Sequence, residues 1–301
     1  MDTKNIYGKL PVEIIATPKD AQQFSPLLPG SLPLETCAEG GLDGMAMLAP
    51  FGTFERRYAL ALTLRALLPG ASFTVMAPND KGGTRLKKEL LGFGCDVVEE
   101  ARRHHRICTT TRPPQLIGID EAITDGAPRL LPLGFWSQPG VFSWDRLDTG
   151  SKLLADHLPV LLGRGADLGC GFGYLSRVIL ISPSVQHLAL VDIDYRAIDC
   201  AKRNIDDKRA SFLWTDIHTP KPELTNLDFI VMNPPFHDAG IENQTLGQQF
   251  ITRAHALLRA SGVCWMVANR HLPYEKVLNG LYKKVTLKAE DGAFKIYEAI
   301  K

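Results

Sequence analysis

The sequence has no stretch near the roughly 20 consecutive apolar residues that a membrane-crossing helix needs, so no membrane partner is expected. It also has no CxxC pair: the six cysteines stand apart at positions 37, 95, 108, 170, 200 and 264. That spacing argues against a zinc ribbon and a disulfide frame, and fits reduced thiols in a cytoplasmic protein that holds no metal. Neither sign of charge dominates. Lys and Arg number 34 against 33 Asp and Glu, a formal net charge of +1. This excludes binding to nucleic acid by bulk charge and leaves local basic patches open. The opening MDTKNIYGKLPVEII lacks a basic start followed by a long apolar core, so no secretory signal is expected and the location reads as cytoplasmic. Low-complexity tracts are missing too. What is present is an ordinary globular composition, 45% hydrophobic and 22% charged, over 301 residues, enough for two domains.

The chain echoes itself. LDGMAMLAPF from Leu42 and LDFIVMNPPF from Leu227 share Leu, Asp, Met, Pro and Phe without a gap, at an offset of 185. ALLPGASFTVMAPN from Ala66 then matches ALLRASGVCWMVAN from Ala256 at an offset of 190, and HHRIC matches AFKIY at 189. Three matches in one order with nearly one offset point to an internal duplication.

Each half reads as strand, loop, helix, turn, strand. The strands are expected at Met45–Ala49 and Phe229–Met232, then at Phe73–Ala77 and Val263–Ala268. The helices between them are expected at Glu55–Leu68 and Leu246–Arg259. Alternation of this length predicts a parallel α/β sheet. VTLKA and AFKIYEAI around EDG predict an antiparallel hairpin at its end, and VVEEARRHHRICTTT is the counterpart in the first half. The fold class is therefore α/β, two tandem Rossmann-like domains, the first a trimmed copy. It has room for a strand at Val12–Ile15 but no glycine-rich loop. Boundaries are expected at residues 1–125 and 126–301, with the Pro- and Gly-rich stretch 112–140 as connection.

The motif GADLGCGFGYLSRVIL, residues 165–180, sets Gly169, Gly171 and Gly173 between a strand end and an apolar helix. Glycines there let backbone turn sharply and approach a ligand. The next strand ends in Asp192, an acid suited to a ribose diol. The dinucleotide pattern GxGxxG is not met, because its last glycine falls on Tyr174. DLGCGFG instead resembles the first motif of the class I methyltransferases, which implies S-adenosylmethionine as cofactor and brings Asp167 near its methionine part. Ile193 is placed to pack on adenine, or is an ordinary strand-end residue. Asp216, closing FLWTDIH, is placed to accept from the adenine amine, or caps a turn. Asp148, Thr149 or Ser151 starts a helix running to His157. That segment closes over the methionine end near Phe142, or simply packs.

LDFIVMNPPF ends an apolar strand in Asn233, Pro234, Pro235 and Phe236, at the sheet edge where open α/β folds bind ligands. The Asn233 oxygen and the Pro234 carbonyl are two acceptors. The prolines lack N–H groups and stiffen the turn, and Phe236 offers a stacking face. Together they form a receptor for a planar group bearing –NH2, with Pro235 and His237 beside the substrate. In the first half Leu48 stands where Asn233 should be.

PGVFSWDRLDTGS, DLGCGFG, VMNPPFHD, VANRHLPY and GAFKIYEA together resemble the RsmC/RlmG-type ribosomal RNA guanine-N2 methyltransferases, clearly over 139–301 and faintly before. The resemblance implies two tandem methyltransferase-like domains, the first without cofactor. It implies that Asn233, Pro234 and Phe236 hold a guanine 2-amino group, and that the partner is ribosomal RNA or a ribosomal subunit, with the small subunit favoured over the large. The enzyme is expected to act as a monomer. Arg102, Arg103 and Arg106, with Lys81, Arg85, Lys87 and Lys88, are candidate phosphate contacts or a solvated face. Two other readings stay open: a protein glutamine-N5 methyltransferase, and a non-catalytic RNA-binding assembly factor.

Overall fold

A computed structural model describes residues 4–235, 237–238, 241–242 and 244–301, with side chains left aside at 237, 238, 241, 242 and 244. The chain forms two compact units, Met1–Pro128 and Arg129–Lys301.

In the first unit the strands are β1 (Asn5–Tyr7), β2 (Gln22–Phe24), β3 (Leu42–Leu48), β4 (Leu67–Pro78), β5 (Val98–Arg102) and β6 (His105–Thr111). They form one sheet in the order β2-β1-β3-β4-β6-β5. β1, β2, β3 and β4 run parallel, while β6 is antiparallel to both neighbours. Arg103 and His104 make the β5–β6 turn with φ of 47° and 60°. Two positive φ values give the turn whose twist matches the strands. Helices α1 (Thr53–Ala66), α2 (Thr84–Gly92) and α3 (Ile119–Gly126) bury Leu60, Leu64, Leu86, Leu90 and Ala122 with Met45, Met47 and Phe73.

In the second unit β7 (Arg129–Leu130) and β8 (Trp136–Ser137) make a small ribbon, and α4 spans Thr149–His157. Then follow β9 (Gly163–Leu168), α5 (Tyr174–Ile179), β10 (Val185–Asp192), α6 (Tyr195–Asn204), β11 (Ala210–Trp214) and β12 (Leu227–Met232). A short ribbon, β13 (His237–Asp238) with β14 (Ile241–Glu242), precedes α7 (Gln244–Leu257), β15 (Leu258–Asn269), α8 (Glu275–Leu281), β16 (Lys284–Glu290) and β17 (Phe294–Ile300). The sheet order is β11-β10-β9-β12-β15-β17-β16, parallel except at β17. Its two faces carry separate apolar layers. One is built on Leu154, Leu175, Ile198 and Trp265, the other on Ile251, Ala254, Leu257 and Leu278. Strands buried on both faces read as continuous apolar runs, as in LALV and FIVM.

The two sheets correspond strand for strand in order: β2-β1-β3-β4-β6-β5 answers β10-β9-β12-β15-β17-β16. The same irregularity recurs. Leu42 pairs Leu67 and then Gly44 pairs Ser72, while Leu227 pairs Leu258 and then Phe229 pairs Val263. The duplication read from the sequence is thus a duplication of the ladder, with one correction. The pairings put Met76 opposite Ile107 and Val267 opposite Ile296, so Met76 answers Val267 rather than Met266. The offset is 191 rather than 190. Identity aligned two methionines, but a slip of one residue turns a strand side chain to the other face.

Three further expectations shift. Val12–Ile15 is not a strand. Ile14 and Ile15 donate their N–H groups to Pro11 O at 2.9 and 3.1 Å, and Ile14 packs with Ile6, Leu10, Ala46, Met76 and Ile107. The apolar residues cover the sheet instead of entering it. The helices expected from Glu55 and Leu246 begin at Thr53 and Gln244 and end at Ala66 and Leu257, because the next residues already pair in β4 and β15. The stretch 112–140 holds α3 as well as the β7–β8 ribbon. Gly126 lets α3 press on Tyr58, where a Cβ would lie 2.3 Å from that side chain.

Candidate functional site

Everything in the site hangs on the carboxyl ends of β9, β10 and β12. Gly169, Gly171 and Gly173 have φ of 75°, 53° and 90°, a region closed to most side chains. The loop is pinned at both ends. Gly169 N and Cys170 N donate to Val191 O at 2.8 and 3.0 Å, and Gly173 N donates to Cys170 O at 2.9 Å. Gly173 is also the N-cap of α5, whose first turn faces the loop.

Asp192, at the tip of β10, holds the loop from the other side. Its Oδ2 accepts from Gly171 N at 2.8 Å and its Oδ1 from Asp194 N at 2.9 Å. Burial pushes its carboxyl up to about 6, against the pull of the amides it accepts from. An ionised carboxylate has roughly four acceptor positions, so the amides that hold Asp192 leave room for a ribose hydroxyl. Asp167 lies at the bottom of the loop with no exposed surface. Its Oδ2 accepts from Ser176 Oγ at 2.6 Å, and its Oδ1 has no partner among the described residues. Burial raises it to about 7. A buried, half-satisfied acid under a glycine loop is the group that a cationic ligand would complete.

Asn233 closes the site on the β12 side. Its Nδ2 donates to Asp148 Oδ2 and to Ser151 Oγ, both at 2.9 Å. Asp148 is the N-cap of α4 and also accepts from Ser151 N at 2.7 Å. A carboxylate accepts only, so the amide nitrogen faces it and Oδ1 is the acceptor end turned away from it. One cleft is lined by Phe142, Asp148, Ser151, Gly169, Gly171 and Asn233, with Cys170, Phe172, Tyr174 and Leu175 also on its wall.

The residues singled out in the sequence therefore divide. Phe142, Gly169, Gly171 and Asn233 share the cleft, with Asp167, Gly173 and Asp192 framing it. Ile193 is 45% exposed, and its carbonyl accepts from Trp214 Nε1 at 2.8 Å. Asp216 accepts from His218 N at 2.8 Å in a local turn. Both sit on the same sheet edge but do not line that cleft. Pro234 and Pro235 follow Asn233. Phe236 lies outside the described residues, and so does the side chain of His237. Arg102, Arg103 and Arg106 belong to the β5–β6 hairpin of the other unit. Arg102 donates to the Ile14 carbonyl there. Lys81 lies 5.0 Å over the Phe51 ring, and Arg85 donates to Thr53 Oγ1 at 3.1 Å.

The first unit shows what the same frame looks like stripped of chemistry. Tyr7 pairs Met47 as Leu168 pairs Met232, so Ile6 takes the place of Asp167. Gly8 follows with φ 75°, the same as Gly169, and its N donates to Phe24 O as Gly169 N does to Val191 O. Ser25 then answers Asp192, and Leu48 answers Asn233. Sequence reasoning found the lost amide but missed this residual glycine, because one glycine without its companions carries no signal. It also missed Ser176. The visible hint was a lone polar residue facing inward in the apolar helix YLSRVIL.

A doubly wound sheet with a glycine loop, an acid at the second strand tip and an Asn-Pro-Pro turn defines a class I methyltransferase. The family model described as methyltransferase small domain matches residues 132–298. Over 266 residues the chain is 31% identical to the ribosomal RNA small subunit methyltransferase C of Shewanella loihica, covering 85% of this chain and 76% of that protein. It is 30% identical to the protein of that name from Erwinia tasmaniensis, over 89% and 78%. The chain belongs to this family of small subunit ribosomal RNA methyltransferases. A T. thermophilus 16S rRNA N2 methyltransferase (RsmC), solved with AdoMet and guanosine, aligns with TM-score 0.79 over 100% of this chain and 88% of that one, at 22% identity. At that identity the match shows a shared fold.

Proposed function

We propose that this protein transfers a methyl group from S-adenosylmethionine to the exocyclic 2-amino group of a guanine in small-subunit ribosomal RNA. The observation that carries the reading is the Asn233 amide. Its nitrogen is held by Asp148 and Ser151 and its oxygen is left as an acceptor beside the glycine loop.

The residues of the second unit suit the cofactor. Asp167 offers its unsatisfied Oδ1 to the methionine ammonium, Asp192 offers its remaining acceptor position to a ribose hydroxyl, and Phe142 flanks the cleft. Ile193 and Asp216 stand on the adjoining edge for the adenine. Bound there, S-adenosylmethionine supplies an electrophilic sulfonium methyl. Asn233 Oδ1 and the Pro234 carbonyl accept the two hydrogens of the guanine amine and aim its nitrogen. Displacement then needs approach and alignment more than a strong base, and the methylated nitrogen gives up one proton to solvent afterwards. Phe236 and Pro235 flank the base, with His237 next to them. A guanine inside a helix cannot reach such a cleft, so the target is unpaired or flipped out.

The first unit, lacking the acid, the glycine run and the amide, serves as structural support and RNA grip, with Arg102, Arg103 and Arg106 as contacts. Among the described residues no helix is long and apolar enough to cross a membrane and no metal-binding cluster occurs. We place the enzyme in the cytoplasm as a monomer. The test is transfer of a labelled methyl group to naked ribosomal RNA, to isolated subunits and to release-factor protein, followed by nucleoside mapping. Label on a guanine of small-subunit RNA supports the proposal. Label on protein alone would overturn it in favour of glutamine methylation.

A further inference from the structure

We propose that Asp148 and Ser151 are positioning residues for the transfer step, and that their two acceptors are the reason residue 233 is an amide rather than an acid. The inference rests on the methyl-transfer reading above and adds residues to it. A primary amide has two faces of opposite character, and rotating it by half a turn exchanges donor for acceptor. In the wrong orientation Asn233 would present N–H groups to the N–H groups of the incoming amine. The 2.9 Å contact from Nδ2 to Asp148 Oδ2, which can only accept, removes that choice, and Ser151 Oγ at 2.9 Å holds the second N–H in place.

The acceptors are themselves fixed. Asp148 caps α4 through Ser151 N at 2.7 Å. The helix is pressed on β17 so closely that a Cβ at Gly150 would lie 2.9 Å from the Phe294 ring, and Leu154 is fully buried. Orientation of the amide is thus set by a helix packed on the sheet rather than by the turn that carries it. The same arrangement excludes a carboxylate at 233. Two acids would then face each other at hydrogen-bond distance, where like charges cannot both be ionised without cost.

The experiment has three parts, each on the full chain with folding checked by thermal melting. Ser151→Ala removes one acceptor and leaves the backbone cap. Its kcat should fall about tenfold, the scale of one lost hydrogen bond, with KM for RNA and cofactor Kd unchanged, and Ser151→Thr should restore it. Asn233→Asp should lose about a hundredfold or more in kcat, a loss comparable to removing one transition-state hydrogen bond. The double variant Asp148→Asn with Asn233→Asp removes the charge repulsion between the two facing acids and keeps an oxygen to cap α4 through Ser151 N. It should recover at least about tenfold over Asn233→Asp alone. The side-chain NH2 resonances of Asn233, assigned by their loss in Asn233→Ala, should be slow to exchange in the wild type and fast in Ser151→Ala. A double variant no better than Asn233→Asp, or Asn233 resonances unaffected by Ser151→Ala, would overturn the proposal. The resonance measurement needs no substrate, so it separates failure of the positioning role from failure of the RNA assignment.

Discussion

Ser176 Oγ donates to Asp167 Oδ2 at 2.6 Å, and no described group does the same for Oδ1. A carboxyl so placed is kept protonated toward neutrality, with its titration raised to about 7 by burial and, to a lesser degree, by the nearby Asp192. In the unfolded chain it titrates near 3.8. Between those two values the folded state binds more protons than the unfolded state, so stability falls as pH rises from about 4 to about 7 and levels off above. The loss is on the order of 4 kcal/mol. Urea denaturation of the cofactor-free protein should show that slope, and Asp167→Asn should flatten it apart from the share due to Asp192. Cofactor affinity should run the opposite way, tightening as Asp167 ionises. Titration calorimetry at pH 6 and pH 8 compares the two, and equal affinities would refute the ammonium contact.

Asn233→Ala should keep cofactor affinity within twofold, since the glycines and acids are the groups proposed to frame that ligand, while kcat falls by about a hundredfold, as when one preorganised hydrogen-bonding group is removed. Labelled-methyl transfer at saturating RNA reads this. Undiminished transfer would remove the amide from the reaction.

Gly173 stands at φ 90° with Ile205 Cδ1 3.0 Å from the position of an added Cβ. Gly173→Ala should therefore cost about 1–2 kcal/mol, from the left-handed backbone alone. It should also weaken cofactor binding by tilting the first turn of α5. Chemical denaturation and calorimetry on one preparation check both parts.

These residues also show what could be read without coordinates. Asn233 was legible because a strand, an amide and two prolines announce themselves within ten residues. The placement of the glycine loop and Asp192 at strand ends was legible for the same reason: each stands where a local pattern changes. The contact of Asn233 with Asp148 was not, because 85 residues separate them and nothing in the periodicity of either segment points to the other. Asp148 and Ser151 were visible only as helix caps. The register slip at Met76 has a different cause. Residue identity is a poor guide inside a strand, where hydrogen bonding, not composition, fixes which face a side chain meets. Ile14 was misread as strand because an apolar residue above a sheet and one within it look alike in sequence.

The stripped frame of the first unit gives a stoichiometric prediction. Ile6, Ser25 and Leu48 replace two acids and an amide, and Leu10 and Ile14 pack over Ile6 on that face. One cofactor should bind per chain, as read by calorimetry. Ile6→Asp should not create a second site. It buries an unpaired carboxylate and should cost about 3 kcal/mol or more. Two cofactors per chain would contradict the assignment of all three positions.

The last prediction concerns RNA grip. Arg103 is exposed and sits at the tip of the β5–β6 turn, with a left-handed φ of 47°, whereas Arg102 is engaged by the Ile14 carbonyl. The two should therefore respond differently to charge reversal. Arg103→Glu exchanges a solvated cation for an anion and disturbs no contact within the fold. RNA affinity should fall roughly three- to tenfold at moderate salt, and the dependence of binding on salt should flatten by about one phosphate contact. Arg102→Glu removes a tie that holds the 9–15 segment on the sheet, so part of its effect should appear as lowered thermal stability. Cofactor affinity should be unchanged in both, because the residues proposed to hold the cofactor all belong to the other unit. Filter binding over a salt series with melting curves separates the two effects. Equal RNA affinity of Arg103→Glu and wild type at every salt concentration would leave the hairpin as an ordinary solvated edge.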